Sequence, residues 1–174
     1  VKLTPAELTV LGLLIERPRH GYDLERVIEQ RGIREWTDIG FSSIYYLLSK
    51  MEKRGLVEPG EVAGTAKSRR VFHATTTGKK AATHAAHAFV EQFQPVAHPL
   101  LVGIANLPLL TERRYRAALR SRLGQVEARI AEVRETQQVQ QPLPTAAREV
   151  FSYSLSLLEA ERSWLATRVQ VADD

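Results

Sequence analysis

The chain has 174 residues, 44% of them apolar and 25% charged, ordinary for a globular protein and long enough for one domain, or a small domain with an extension. It has no cysteine, which excludes a disulfide framework and a thiolate metal site. The net charge of +4 is unevenly placed: residues 1–80 hold 14 Lys/Arg against 10 Asp/Glu, residues 81–174 hold 10 of each, and residues 40–80 hold 8 against 3. A polyanion partner is therefore expected for the N-terminal part alone.

Thr4-Pro5-Ala6-Glu7 predicts a helix start. Thr4 caps, Pro5 suits the first helical position and Glu7 closes a capping box. Leu8, Leu11 and Ile15 are expected to face inward, and Pro18 ends the helix. After the turn His20-Gly21-Tyr22-Asp23, a second helix turns Leu24, Val27 and Ile28 inward and stops near Gly32. The third helix follows Asp38–Gly40. Ile44, Leu47, Leu48 and Met51 recur at i, i+3, i+4, i+7, so one side is apolar. Ser42 or Ser43 caps it, and Gly55 stops it behind Lys53 and Arg54, which suit the negative end of its dipole. Its other face carries Ser42, Tyr46, Ser49, Lys50 and Lys53, with Tyr45 on the flank: hydroxyls, phenols and ammonium groups fit phosphates and base edges. The second and third helices, joined by a short connection, form a helix-turn-helix.

Beyond Gly55 the period changes to two. Leu56–Glu58 and Glu61-Val62, kinked at Pro59-Gly60, pair with a strand over Arg69–Thr75 around the loop Gly64–Ser68. That is a β-hairpin with the basic tip Lys67, Arg69 and Arg70. Three helices and a basic-tipped hairpin make a winged helix. Thr75 or Thr76 opens a fourth helix to about Phe93, and an apolar linker punctuated by prolines occupies 94–110. From Thr111 a long helix places Tyr115, Leu119, Leu123, Val126, Ile130 and Val133 close to a heptad seam. Pro142 and Pro144 break it. A last helix carries Val150, Phe151, Leu155, Leu158, Leu165 and Val169 on one side, with Tyr153, Leu157 and Trp164 beside them. Such a pair exposes apolar surface, and a second chain is the expected cover. The expected layout is thus mostly helical with a small hairpin: a winged helix-turn-helix over 1–93, the linker, and an antiparallel helical dimerisation region over 111–174.

Several stretches, in this order and spacing, resemble the PadR family of bacterial winged-helix transcriptional regulators: Leu11-Gly12-Leu13-Leu14, His20-Gly21-Tyr22-Asp23-Leu24, Ser43-Ile44-Tyr45-Tyr46-Leu47-Leu48, Met51–Val57, and Arg69-Arg70-Val71-Phe72 leading to Thr75-Thr76-Thr77-Gly78. The resemblance covers about half the chain and departs at Ser42 and Tyr46, where the family usually has Gly and Pro. It implies a homodimer, built on a longer C-terminal helical region, that binds a palindromic operator on double-stranded DNA. It also implies a repressor, often released by a small aromatic effector.

On this basis Ser42, Ser43, Tyr45, Tyr46, Ser49, Lys50, Lys67, Arg69 and Arg70 are the expected DNA contacts, with His20 and Tyr22 touching the backbone. Leu119, Leu123, Val126, Ile130, Val133, Leu155, Leu158 and Leu165 are expected to hold the dimer. Phe151, Tyr153, Trp164 and the apolar run Val96–Leu110 are the candidate effector lining. No cofactor is expected. A metal sensor is a rival because His84 and His87 are spaced i, i+3, with His73 and His98 not far off, but no third ligand is evident. A purely protein-binding winged helix is another. No nucleophile elbow, phosphate loop or zinc-protease motif occurs, so an enzyme is not expected. There is no signal-peptide core, and Val96–Leu110 is too short and too broken to span a bilayer, so a cytoplasmic, nucleoid-associated protein is expected.

Overall fold

The structure is a computed structural model and describes residues 2–40, 43–60 and 70–171, Val171 for its backbone alone. The chain divides into two compact units, residues 1–95 and 96–174.

The first unit is a winged helix. Helix α1 (Pro5–Glu16) starts with the expected box: the Glu7 N–H donates to Thr4 Oγ1 at 3.2 Å, and the Thr4 N–H donates to Glu7 Oε2 at 2.9 Å. Its inward face differs from the expected one. Val10, Leu11, Leu13 and Leu14 are buried, Leu8 is only partly covered and Ile15 is exposed. The reason is tertiary: α3 (Ser43–Lys53), α4 (Thr76–Glu91) and β3 (Val71–Ala74) all pack on α1, so most of its circumference is covered. Helix α2 (Gly21–Gln30) buries Leu24, Val27 and Ile28 as expected. Glu16 closes the lower corner, accepting both Arg31 guanidinium nitrogens at 2.7 and 2.9 Å and Arg19 Nη2 at 3.1 Å.

The wing is a three-stranded antiparallel sheet in the order β1 (Arg19–His20), β3, β2 (Val57–Pro59). Arg19 faces Phe72, Val57 faces Ala74, and Glu58 faces His73. The strand β1 had no signature, because two residues carry no period. Its role is to anchor the start of α2 to the wing. Thr75 caps α4 through the Gly78 N–H at 2.9 Å, its hydroxyl donates to the Gly55 and Leu56 carbonyls between α3 and β2, and its N–H donates to the Leu56 carbonyl.

In the second unit, α5 (Pro99–Ala105) and a 3-10 turn (Leu107–Leu109) occupy the segment expected to be a linker. Helices α6 (Glu112–Val139) and α7 (Thr145–Val171) pack along each other. Leu119, Val126, Ile130 and Leu165 are buried between them, with Tyr115, Leu123, Leu155, Leu158, Trp164 and Val169 against that core. Val133 is buried as well. Of the residues expected at the seam, Leu119, Val126, Ile130, Val133 and Leu165 are thus buried within one chain, whereas Leu123, Leu155 and Leu158 keep part of their surface in solvent. A heptad stripe says that a face is covered, not which helix covers it. The apolar surface left on α7 is Val150, Tyr153 and Leu157, all exposed and spaced i, i+3, i+7. No helix among the described residues is long and apolar enough to cross a membrane.

Candidate nucleic-acid interface

Helix α3 is held by its apolar side. Ile44, Leu47, Leu48 and Met51 are all buried. That leaves the opposite arc in solvent. Along its middle lie Tyr46, Ser49 and Lys53, all exposed, and Tyr46 is 67% so. Tyr45 (52% exposed) stands on one flank, and Tyr22 (69% exposed) projects from the first turn of α2. Helix geometry fixes these positions: steps of three and four return a side chain to the same arc. The surface is thus rich in phenols and hydroxyls, with Lys53 as its exposed cation. Lys53 makes no ion pair among the described residues. The face pattern placed it on this arc, although it was not among the expected contacts.

The two flanks of α3 are tied down by charge. On one flank, Glu7 at the start of α1 is 1% exposed, yet it is ionised. Arg54 Nη1 donates to its Oε1 at 2.7 Å, and Lys50 Nζ lies 3.0 Å from the same oxygen. Burial pushes the Glu7 carboxyl up. The Thr4 N–H, the Lys50 and Arg54 hydrogen bonds and the Arg54 charge outweigh that and hold it below the usual carboxylate range. Arg54 also donates to the Lys2 carbonyl at 2.8 Å. On the other flank, Arg70 Nη2 donates to Glu52 Oε1 at 3.1 Å, with the Arg70 guanidinium 5.7 Å from the Phe72 ring centroid.

These contacts give several of the expected DNA-contacting residues partners within the chain. Lys50 and Arg70, both expected DNA contacts, are each engaged with a carboxylate, because α1 and the end of α3 supply acidic partners that no local pattern reveals. Ser43 begins α3, but its hydroxyl donates to the Gly40 carbonyl at 2.6 Å, so its one proton is not free for a phosphate. His20 is half-buried as the N-cap residue of α2 and the end of β1, beside the exposed Tyr22 rather than projecting with it. Ser42, Lys67 and Arg69 lie outside the described residues.

The other candidate constellations do not converge. Phe151 and Tyr153, two residues apart on α7, point roughly 160° away from each other, and Trp164 stands about 16 Å further along the helix from Tyr153. The Trp164 ring is covered by the Arg168 guanidinium, 3.7 Å from its centroid. His73 Nε2 lies 3.0 Å from Glu58 Oε1, and His87 Nδ1 lies 3.4 Å from Glu91. No group of three metal-ligating side chains assembles among the described residues.

Residues 10–84 match the Transcriptional regulator PadR-like family. Bacillus subtilis PadR in complex with operator DNA superposes with a TM-score of 0.77 at 17% identity, over 97% of this chain and 99% of that one. The same protein in complex with p-coumaric acid gives 0.77 at 17%, over 97% and 98%. The Vibrio cholerae virulence activator AphA gives 0.72 at 17%, over 96% and 97%. At these identities the likeness is one of fold, and it runs through the C-terminal helices. No curated protein matches the chain.

Proposed function

The chain belongs to the PadR-like family of transcriptional regulators, a DNA-binding and non-enzymatic family, and on that premise we propose that it acts as a homodimer on a palindromic operator. The observation that carries this is the α3 arc: Tyr46, Ser49 and Lys53 stand in solvent, flanked by Tyr45, while both edges are fixed to the domain by buried or paired carboxylates. A rigid helix with hydrogen-bonding groups on its outer arc is what major-groove readout requires. The uneven charge supports the same assignment, since the positive excess belongs to residues 1–80. Such a protein works where the genome is, in the cytoplasm and on the nucleoid.

In this proposal residues 1–93 bind DNA and residues 111–174 pair the protomers. Tyr46, Ser49 and Tyr45 face bases. Lys53, Tyr22, Lys67 and Arg69 meet phosphates. The partner covers the apolar stripe Val150, Tyr153 and Leu157, which no described element of the same chain buries. Half-sites then lie about one helical turn apart. Repression follows if the occupied operator overlaps a promoter. The likeness in fold to a PadR crystallised with p-coumaric acid supports release by a small aromatic acid.

The test is selection of bound fragments from a genomic DNA pool, followed by a salt titration on the recovered site. An inverted repeat is expected. With roughly 6–10 phosphate contacts per dimer, the slope of log K against log salt is about −5 to −9. A flat slope, or no recovered fragment, overturns the proposal. A promoter–reporter fusion reads the sign of regulation. Quenching of Trp164 fluorescence by phenolic acids, in a Trp36→Phe background, tests the effector.

A further inference from the structure

The cleft beside α3 is framed by Gly21, Tyr45, Leu48, Ser49, Glu52, Arg70 and Phe72, has a volume of about 180 Å³, and joins the start of α2, one flank of α3 and β3. One wall of it is set by a missing side chain. Gly21 is buried at the first position of α2, and the Tyr45 ring lies directly on its Cα. A Cβ at Gly21 would stand 2.6 Å from Tyr45 Cε1, 3.0 Å from Cζ and 3.2 Å from Cδ1. No residue with a side chain tolerates that approach, whereas the Tyr45 phenol, half in solvent, is free to swing away. The backbone of Gly21 does not itself call for glycine, because its φ is not positive.

We propose that Gly21 is a positioning residue for operator recognition: by lacking a Cβ it lets one edge of the Tyr45 ring pack against the start of α2 and so fixes where α3 presents the phenol hydroxyl to the DNA, a role that rests on the DNA-binding proposal above. The chemistry is that of one directed hydrogen-bond donor. The ring has two soft torsions, and the glycine seat removes most of their freedom before DNA arrives. The ligand recognised is a phosphate or base-edge acceptor of double-stranded DNA.

Four proteins decide it: wild type, Gly21→Ala, Tyr45→Ala, and the double variant. Alanine is a better helix former than glycine, so Gly21→Ala is expected to melt no lower than wild type. It is expected to weaken operator binding about tenfold, the scale of one charge-assisted hydrogen bond. Tyr45→Ala is expected to lose about as much, and Gly21→Ala added to Tyr45→Ala is expected to lose nothing further. An equal loss from Gly21→Ala in both backgrounds, or no loss in the first, overturns the proposal. So does a lowered melting temperature that Tyr45→Ala restores, since the glycine would then serve the fold alone. A measurement on free protein separates this from the DNA-binding proposal. With fluorotyrosine incorporated, the Tyr45 ¹⁹F resonance is expected to move in Gly21→Ala while those of Tyr22 and Tyr46 stay. An unmoved Tyr45 signal refutes the positioning role whatever the DNA result. Wild-type protein that binds no DNA while the Tyr45 signal does move counts against the regulator proposal alone.

Discussion

Replacing Glu7 tests the electrostatic frame of the recognition helix. Its carboxylate closes the capping box of α1 and accepts from Arg54 and Lys50 of α3, at 1% exposure. Glu7→Ala removes the cap, which costs about 1 kcal/mol. It also leaves Arg54 and Lys50 without their acceptor. Breaking a fully buried pair costs about 3–5 kcal/mol, but these cations are 29% and 42% exposed and turn to water, so about 2 kcal/mol is the share expected here. The total, about 3 kcal/mol, lowers the melting temperature of a domain this size by about 12–24 °C. Glu7→Gln keeps an acceptor for the Thr4 N–H and is expected to lose about half as much. The pH dependence fixes the cause. The folded carboxyl sits below its ordinary value of 4.5, so its contribution is fully present above that pH and is lost as pH falls through the lowered folded value. Denaturant unfolding of wild type and Glu7→Gln should therefore differ at pH 7 and converge as pH falls well below 4.5. A gap that stays constant across that range refutes the ionised pair. Glu7→Gln also frees two cations beside the α3 arc, so non-specific DNA binding should tighten and its salt slope steepen by about one per chain.

Other substitutions probe separate parts. Gly78→Ala would put a Cβ 2.0 Å from the Leu56 carbonyl oxygen, a backbone atom that cannot turn aside, and is expected to cost about 3 kcal/mol or more in a thermal melt. Lys53→Ala should weaken binding to all DNA alike and reduce the salt slope by about one per chain, whereas Tyr46→Ala should change which operator is preferred in competition binding. Leu165→Ala, at a fully buried site between α6 and α7, is expected to cost about 2–5 kcal/mol of C-terminal stability in denaturant unfolding. Leu157→Glu, on the exposed stripe, should leave that unit folded and yield monomers in sedimentation.

Much of the local structure was legible. Thr4 and Thr111 cap the helices they were expected to start, and of the two candidates for α4 it is Thr75 that caps, because a hydroxyl one residue before a periodic run satisfies an orphan N–H wherever it occurs. The inward face of α3 was likewise readable, since only one side of that helix is covered. The inward face of α1 was not, because residues 6–14 are buried or half-buried all round that helix, and amphipathic spacing marks a helix with a single covered side.

Neighbours within one or two helical turns carried the six longer helices, the threonine caps, the polar arc of α3 and the family resemblance of the first unit, and these could be read before any packing was known. Packing between elements chose the rest: Lys50 pairs with Glu7, Arg70 pairs with Glu52, Tyr45 rests on Gly21, and Leu119, Val126, Ile130 and Leu165 are buried between α6 and α7 of one chain. Each of these joins residues from different elements. Periodicity records that a side chain will be covered or that a charge will be solvated, and the partner is chosen by how the elements pack.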